Sequence, residues 1–305
     1  MQVAACGICG SDLGYVRLGG VAGPTREPLP LGHEVAGEIT EVGAAIAGLA
    51  PGMRVVVHPG VAGNRIGNGG PEGAFAPHLL VRNAAEGALF PIPDGLPFET
   101  AALAEPLGVG LQAVAQSEAQ AGEKAVVFGA GPIGLAAIAG LRDRGVEDVI
   151  AVDLSASRLA LAAKLGARAT LNPAQQDCWA EIRRLHGESP VLGAPMAATD
   201  CYIEASGAPS VIGEVLQHAR GEARLAVVAL HRAPVAVSFL LVMMKQLTLR
   251  GAMEYPADFG ETLALLSRRD LAPMVTHRFP LERHAEAFAV ARDPSRAGKV
   301  LLTPG

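Results

Sequence analysis

The pattern of apolar and polar positions changes near residue 124. Before it, apolar residues come in short runs separated by glycine- and proline-rich segments, which is typical of strands joined by turns. The runs cover residues 35–42, 55–57 and 75–81. This part of the chain therefore predicts a compact, irregular β domain.

Beyond Lys124, apolar runs of strand length alternate with stretches of helical periodicity. Such alternation predicts a parallel sheet with helices on both faces. The tail from about Leu271 ends in another apolar run, residues 299–302, which we expect to return to the first domain. We therefore expect one domain from residues 1–121 and 270–305 and a second from residues 122–269. The expected strands are residues 125–128, 148–152, 198–204, 225–230 and 247–251, and the expected helices begin at Pro132, Ser155 and Ser210, with another near residues 258–268.

Length and charge narrow the classes of protein. A chain of 305 residues is long for a single hydrophobic core. The net charge of −5 gives no basic footprint for nucleic acid or an anionic membrane, so a small molecule is the expected partner. The longest uncharged run, residues 125–141, contains glycines and Pro132 and is shorter than the ~20 apolar residues that span a bilayer.

The four cysteines lie at positions 6, 9, 178 and 201. They are too few and too scattered for a disulfide framework, and no secretory signal is visible at the start of the chain. We expect a soluble, cytoplasmic protein with reduced thiols.

A glycine turn follows the first strand of the second domain. Gly129, Gly131 and Gly134 fit the G-x-G-x-x-G spacing, which allows a tight turn and a close approach of pyrophosphate to a helix N-terminus. Asp153 ends the next expected strand, where a carboxylate binds ribose hydroxyls and repels a 2′-phosphate. The pattern predicts a dinucleotide site that prefers NAD to NADP, although Arg158 nearby could accept a phosphate. The alternative is a turn and a helix-capping aspartate without a ligand.

Four side chains upstream of this turn offer metal ligands. Cys9, His33 and Glu105 supply a thiolate, an imidazole and a carboxylate, and Glu34 is a fourth candidate. Zinc accepts all three ligand types, and a catalytic zinc site keeps one position open for water or substrate. Taken singly, each has a structural alternative, as a buried thiol, a core histidine, a surface charge or an acid at a helix start. Their joint occurrence favours a metal site, whereas Cys6 is interpreted as strand packing.

Five short motifs carry a resemblance to a known family and occur in the family's order, and the resemblance as a whole runs from about residue 3 to Leu302. The chain resembles the zinc-dependent medium-chain dehydrogenases and, within them, the sorbitol (polyol) dehydrogenase branch. The resemblance implies an α/β fold with a Rossmann doubly wound parallel sheet and an N-terminally shortened, GroES-like irregular β-barrel catalytic domain. The motifs are Cys9-Gly10-Ser11-Asp12, Leu31-Gly32-His33-Glu34, Ala104-Glu105-Pro106-Leu107, Gly131-Pro132-Ile133-Gly134-Leu135 and Asp153-Leu154-Ser155-Ala156-Ser157-Arg158-Leu159.

The metal ligands are implied by this resemblance. Cys9 and His33 would hold the zinc, while Glu34 and Glu105 would serve as the third ligand or as the holder of a zinc-bound water. Which carboxylate is bound stays open, and both are candidate catalytic groups. Asp12 would orient the His33 ring.

The proton, substrate and cofactor contacts are implied in the same way. Ser11 would pass the proton of the substrate hydroxyl outward, and Tyr15 and Tyr255 could meet the substrate. The implied cofactor-binding residues are Gly129, Gly131, Pro132, Ile133, Gly134, Asp153 and Arg158, with Val228, Ala229, Leu230 and Met253 towards the nicotinamide.

The chain departs from the family pattern in four places. It starts close to Cys9, without the strands that usually open the catalytic domain. The glycine-rich stretch 59–73 has no cysteine where many relatives carry four that bind zinc, so we expect one catalytic zinc and no structural zinc. Gly14 stands where relatives often have a proton-relay histidine, and Glu254 where polyol dehydrogenases often have an arginine near the substrate.

These features predict a zinc- and NAD-dependent dehydrogenase of a secondary alcohol or polyol. One alternative, a zinc-free quinone or enoyl reductase on the same fold, is disfavoured by the metal-binding side chains. Another, a non-catalytic pseudoenzyme oligomer, is left open by the shortened N-terminus and Gly14. The dense apolar stretch within residues 225–244 predicts a homodimer or homotetramer joined through the nucleotide-binding domains, unless it is buried in the monomer's own core.

Overall fold

The computed structural model describes residues 1–304 and contains two compact units. The first consists of residues 1–106 and the chain from residue 259 onward, and the second of residues 107–258. The sequence analysis predicted the two boundaries later in the chain, after residues 121 and 269, whereas they fall after residues 106 and 258. The second limit falls early because the Phe259 ring packs against His58 and Phe90 of the first unit, with ring centroids 4.9 and 5.2 Å apart.

Within residues 1–304 the chain forms fourteen strands and ten α-helices. The strands are β1 Gln2–Gly7, β2 Glu34–Glu38, β3 Arg54–Val57, β4 Leu89–Pro91, β5 Lys124–Phe128, β6 Asp148–Val152, β7 Ala169–Leu171, β8 Glu188–Val191, β9 Ala194–Ala197, β10 Cys201–Glu204, β11 Arg224–Val227, β12 Thr248–Gly251, β13 Val275–Pro280 and β14 Lys299–Thr303. The helices are α1 Gly10–Leu18, α2 Phe98–Ala101, α3 Ala104–Ser117, α4 Pro132–Asp143, α5 Ala156–Lys164, α6 Cys178–His186, α7 Pro209–His218, α8 Phe239–Lys245, α9 Gly260–Arg268 and α10 His284–Ala291.

The first unit is built on a six-stranded sheet with the order β13-β14-β1-β2-β3-β4. Neighbouring strands are antiparallel, except β13 and β14. The late strand β14 pairs with the first strand, with Leu302 opposite Cys6. Cys6 is fully buried in a cluster with Val35 and Ile66, and this burial raises the pKa of its thiol well above the usual value.

The expected strand over residues 75–81 is wrong. The segment is irregular and contains one isolated bridge. Pro77 lies in its middle and has no N–H to donate to a ladder, so a continuous strand cannot form there. The segment still runs beside β1, because the Val3 N–H donates to the Pro77 carbonyl at 2.9 Å. The strand expected over residues 35–42 is also shorter than predicted and ends at Glu38.

The second unit contains a six-stranded, entirely parallel sheet with the order β12-β11-β10-β5-β6-β7. This is the Rossmann arrangement that the sequence predicted. After β5, the chain first adds β6 and β7 on one side of it and then β10, β11 and β12 on the other. The strand order therefore reverses between β5 and β10, and dinucleotides bind at this point in such folds. Helix α4 packs against β5 and helix α7 against β10. The core cluster that includes residues of α7 also contains Val126, Ile150 and Tyr202.

The apolar stretch late in this unit contains a helix, α8, rather than strands alone. The Ser238 hydroxyl accepts a hydrogen bond from the Leu241 N–H at 3.5 Å and caps the helix. Phe239, Leu240 and Met243 leave 76%, 62% and 66% of their surface exposed. Of the helices within residues 1–304, none has the length and apolar content needed to cross a bilayer.

Candidate metal and dinucleotide sites

Three of the predicted metal ligands meet in the first unit. Ligand atoms of Cys9, His33 and Glu34 all lie within 4.8 Å of one another. Cys9 directly precedes α1, and Glu34 is the first residue of β2. His33 is 2% exposed and Glu34 is fully buried, so the alternative that Glu34 is a surface charge does not hold. A thiol, an imidazole and a carboxylate at this spacing fit the ligand preferences of zinc.

Asp12 ties together the two segments that carry these ligands. Its Oδ2 accepts a hydrogen bond from the Cys9 N–H at 2.8 Å, and its Oδ1 accepts one from the Gly32 N–H at 3.2 Å. The same Oδ1 lies 3.7 Å from His33 Nδ1. Asp12 is fully buried, and this burial raises the pKa of its carboxyl group although His33 and the two amides act against the shift. One carboxylate therefore helps to set the spacing of Cys9 and His33.

The surroundings of His33 favour positive charge. Burial alone would lower the pKa of His33, but the charge of Cys9, a hydrogen bond with Cys9 and the charges of Glu105 and Asp12 raise it well above the usual value. Among the residues that the structure describes, no group hydrogen-bonds the buried His33 Nδ1. Cys9, His33 and Glu34 thus offer a thiolate, an imidazole and a carboxylate, and the nearby negative charges favour a cation. These are conditions that suit a divalent zinc ion.

Glu34 has a partner that the sequence analysis missed. Lys299 Nζ contacts Glu34 Oε1 at 2.6 Å and Oε2 at 2.7 Å, and it also donates to the Ile8 carbonyl at 3.2 Å. Burial would lower the pKa of Lys299, but the charges of Glu34, Cys9 and Glu105 raise it. The only sequence signal was a lysine at the start of an otherwise apolar strand.

Glu105 and Ser11 lie in the same unit. Glu105 is in the first turn of α3 and is 6% exposed. It is not a member of the three-residue group, yet its charge acts on both His33 and Lys299. The Ser11 hydroxyl is shielded from solvent and has no hydrogen-bond partner within residues 1–304.

The glycine turn of the second unit has the backbone that the motif requires. Gly129 has a φ of +91°, and an added Cβ would lie 2.7 Å from the Ser206 backbone. At Gly134 an added Cβ would overlap the Gly129 carbonyl oxygen. Gly131 is the N-cap residue of α4 and has no side chain with which to bond the first amides of the helix, and Pro132 is the first helical residue. The backbone amides of the first turn can therefore bind an anion. Ile133 follows half-buried in the first turn.

Two side chains of opposite charge flank this turn. Asp153 Oδ2 accepts a hydrogen bond from the Ala130 N–H at 2.7 Å, and Oδ1 accepts one from the Ser155 N–H at 2.7 Å. The carboxylate therefore joins the glycine turn to the start of α5. The Arg158 Nη1 lies 3.7 Å from where a Cβ on Gly131 would be. Both side chains are within reach of the region where a dinucleotide's ribose and phosphates would lie.

The residues predicted to face the nicotinamide follow β11 and β12, at the same edge of the sheet as the glycine turn. The Val228 and Ala229 N–H groups both donate to the Glu204 carbonyl, at 3.0 and 3.2 Å. Leu230 and Met253 are 65% and 73% exposed. Their exposure is compatible with contact to a ligand at this edge.

The other predicted residues are placed as follows. Tyr15 on α1 donates from its hydroxyl to Asn68 Oδ1 at 3.1 Å, and Gly14 is buried on the same helix. Glu254 has a left-handed backbone, with a φ of +62°, and is exposed. Tyr255 is half-buried in the second unit.

Comparisons with known proteins cover both units. A family model described as an alcohol dehydrogenase GroES-like domain matches residues 1–94, and one described as a zinc-binding dehydrogenase matches residues 132–268. Sorbitol dehydrogenase from Rattus norvegicus is 32% identical over 310 residues, which covers 96% of this chain and 85% of the rat protein.

Solved structures agree with these matches. The crystal structure of 2R,3R-butanediol dehydrogenase from Bacillus subtilis has a TM-score of 0.86 and 31% identity, and the match covers 100% of this chain and 91% of that one. A structure from Sinorhizobium meliloti 1021, described as a zinc-binding dehydrogenase and bound to NADP, has a TM-score of 0.81 and 25% identity, with coverages of 99% and 91%.

Proposed function

We propose a reaction for this chain from the premise that it belongs to the zinc-dependent medium-chain dehydrogenases, in their sorbitol-dehydrogenase-like branch. It is an alcohol or polyol oxidoreductase that uses zinc and a nicotinamide cofactor. In finer detail, it oxidises a secondary alcohol or polyol with NAD and carries one zinc per chain. The observation that carries this proposal is the meeting of Cys9, His33 and Glu34 within 4.8 Å.

The zinc would be held by Cys9 and His33, with Glu34 or Glu105 supplying the carboxylate. When bound, zinc acts as a Lewis acid that stabilises negative charge on the substrate oxygen. Asp12 fixes the distance between the two ligand segments through its hydrogen bonds to the backbone of Cys9 and Gly32. A second zinc is not part of the proposal, because residues 59–73 contain no cysteine.

Ser11 would handle the proton of the substrate hydroxyl. Its Oγ is buried and lacks a partner within the described part of the chain, so it can accept a hydrogen bond from a substrate and pass its own proton on. Gly14 has no side chain with which to relay that proton further. The carbinol carbon would lose its hydride to the bound nicotinamide while the hydroxyl proton passes to Ser11, so the alcohol would lose one hydride and one proton.

NAD would bind at the carboxyl edge of the parallel sheet. The free amides at the start of α4 would hold its pyrophosphate, and Asp153 would accept hydrogen bonds from the ribose hydroxyls. A carboxylate there repels a 2′-phosphate, which supports NAD over NADP. Arg158 acts in the opposite direction, so the preference depends on which of the two side chains dominates.

We further propose a homodimer, or a tetramer built from it, joined through the second units. Within residues 1–304, β12 is the last strand of its sheet and pairs only with β11, so its outer edge would be available to a second copy. Phe239, Leu240 and Met243 on α8 add exposed apolar surface, which supports burial against a partner.

The four free thiols support the prediction of a cytoplasmic location.

The experiment is a panel of secondary alcohols and polyols with NAD and with NADP, followed by the absorbance of the reduced nicotinamide. Elemental analysis of the purified protein accompanies it. We expect turnover with NAD and one zinc per chain, and loss of both in the Cys9→Ser, His33→Ala double variant. Two zincs per chain, or full zinc retention by the double variant, contradicts the metal site. A zinc-loaded protein without turnover across the panel favours the non-catalytic alternative.

A further inference from the structure

The glycine-rich lobe, defined as residues 59–73, is anchored to the rest of the first unit by polar and apolar contacts. Asn64 Nδ2 donates to the Arg82 carbonyl at 2.8 Å, and the Arg82 N–H donates back to Asn64 Oδ1 at 2.9 Å. Arg82 also pairs with Glu72 at 2.9 Å. Ile66 is fully buried in the core of the first unit. The lobe is therefore anchored without any cysteine.

Gly67 of this lobe packs directly against the residue before His33. A Cβ added to Gly67 would lie 2.6 Å from the Gly32 carbonyl carbon and 3.0 Å from the Gly32 nitrogen. That nitrogen donates to Asp12, and the Gly32 carbonyl accepts from the Ala74 N–H at 2.9 Å. The Gly32 peptide is thus fixed between Asp12 and the lobe, and only a residue without a side chain fits at position 67 without displacing it.

The next residue of the lobe contacts the other ligand-bearing segment. Asn68 Oδ1 accepts the hydrogen bond from the Tyr15 hydroxyl at 3.1 Å. Tyr15 lies on α1, the helix that begins immediately after Cys9. Two consecutive lobe residues therefore touch the two segments that carry Cys9 and His33.

We propose that Gly67 and Asn68 are positioning residues of the metal site. The lobe holds the segment of His33 and the helix behind Cys9 at a fixed separation, in addition to the link made by Asp12. Outer groups that orient metal ligands affect metal affinity strongly although they do not bind the ion themselves. This inference rests on the zinc site of the proposed function.

Gly67→Ala tests the first contact, and Gly63→Ala is its matched control. Both glycines lie in the lobe with left-handed φ values, +65° and +71°, so alanine strains the backbone similarly at each. An added Cβ at Gly63 meets nothing within 4 Å, whereas at Gly67 it meets Gly32. The rate of zinc release to a chromophoric chelator should rise about 10-fold or more in Gly67→Ala. It should stay at the unsubstituted rate in Gly63→Ala.

Asn68→Ala tests the second contact without left-handed strain, so the role of the lobe stays testable through Asn68 even if Gly67→Ala does not fold. We expect faster zinc release with an unchanged melting temperature, the same increase in Tyr15→Phe, and no further increase in the double variant. With cobalt(II) in place of zinc, the ligand-field absorption bands should shift in Gly67→Ala and Asn68→Ala but not in Gly63→Ala.

Each outcome bears on a different claim. Equal release rates in Gly67→Ala and Gly63→Ala overturn the role of Gly67, and an unchanged rate in Asn68→Ala overturns that of Asn68. If the unsubstituted protein itself takes up no zinc, the metal site of the proposed function fails and this inference fails with it. A protein that binds zinc at Cys9 and His33, with variants that release it at the same rate, overturns the inference alone.

Discussion

Lys299 and Glu34 form a buried ion pair in which the ammonium group contacts both carboxylate oxygens, at 2.6 and 2.7 Å. Lys299 is 2% exposed and Glu34 is fully buried, and 265 residues separate them in the chain. A buried charge is costly unless it is paired, so each side chain makes the other tolerable at this position. The pair also holds Glu34 beside Cys9 and His33.

Lys299→Met should destabilise the first unit strongly, because it leaves the Glu34 carboxylate buried without its partner. We expect a loss of about 3–5 kcal/mol in the free energy of unfolding, measured by urea denaturation. Adding Glu34→Gln should recover part of this loss, and added zinc should stabilise the single variant because a cation again faces Glu34. The exposed Lys164→Met serves as the control, with an expected change within about 0.5 kcal/mol. Strict additivity of the Lys299 and Glu34 substitutions would argue against the pair.

Asp153→Asn should weaken the preference for NAD, because it removes the charge that repels a 2′-phosphate while keeping an oxygen for one of the two backbone amides. We expect the NAD-to-NADP ratio of kcat/KM to fall about tenfold, which corresponds to ~1.4 kcal/mol. Arg158→Ala should change the ratio in the opposite direction. If the unsubstituted protein already binds NADP more tightly, Arg158 dominates and the proposed preference is wrong.

Met243→Glu should disrupt the proposed assembly, because it places a charge on the exposed apolar face of α8. Light scattering at micromolar concentration should give at least twice the 31.2 kDa chain mass for the unsubstituted protein and a smaller species for the variant. Leu192→Glu is the matched control, since Leu192 is 80% exposed in the turn between β8 and β9. A monodisperse monomer before any substitution refutes the proposal.

His186 should make the second unit sensitive to acid. Its Nδ1 lies 2.7 Å from Thr199 Oγ1, and burial lowers the pKa of His186 from 6.5 to about 4, although Asp148 opposes the shift. The unfolded chain takes up this proton below pH 6.5, whereas the folded chain resists it until about pH 4. The contribution is therefore complete above pH 6.5 and is lost as the pH falls towards 4, amounting to about 3 kcal/mol.

The measurement is the free energy of unfolding in urea at pH 7 and at pH 4.5. His186→Gln should lose less stability between these two pH values than the unsubstituted protein. The exposed His78→Gln should keep the original pH dependence. An unchanged dependence in His186→Gln would show that other groups account for the acid sensitivity.

The sequence predicted features that short segments encode by themselves. Strand β6 has the predicted bounds, residues 148–152, and the glycine turn follows β5, where an added Cβ would clash at both Gly129 and Gly134. Cys9, His33 and Glu34 could be proposed as neighbours because the motifs that contain them occur together. Only the folded structure shows that their ligand atoms lie within 4.8 Å of one another.

The features that escaped prediction depend on contacts between distant segments. The partner of Glu34 lies on the last strand, and no local pattern around Lys299 points to it. The apolar residues of α8 read equally well as buried strand or exposed helix, because periodicity over seven residues does not tell which face a neighbour covers. Pro77 was the one local signal that could have prevented the wrong strand over residues 75–81.

The return of β14 to β1 has a consequence for the order of events on the ribosome. Lys299 follows Glu34 by 265 positions, and at about 5–20 residues per second this length of chain takes roughly 13–53 s to synthesise. During that interval the nascent chain already contains Cys9, His33 and Glu34, while the ammonium group that neutralises Glu34 does not yet exist. The first unit therefore completes its sheet, and gains the Lys299 ammonium beside Glu34, only after the whole of the second unit has been synthesised.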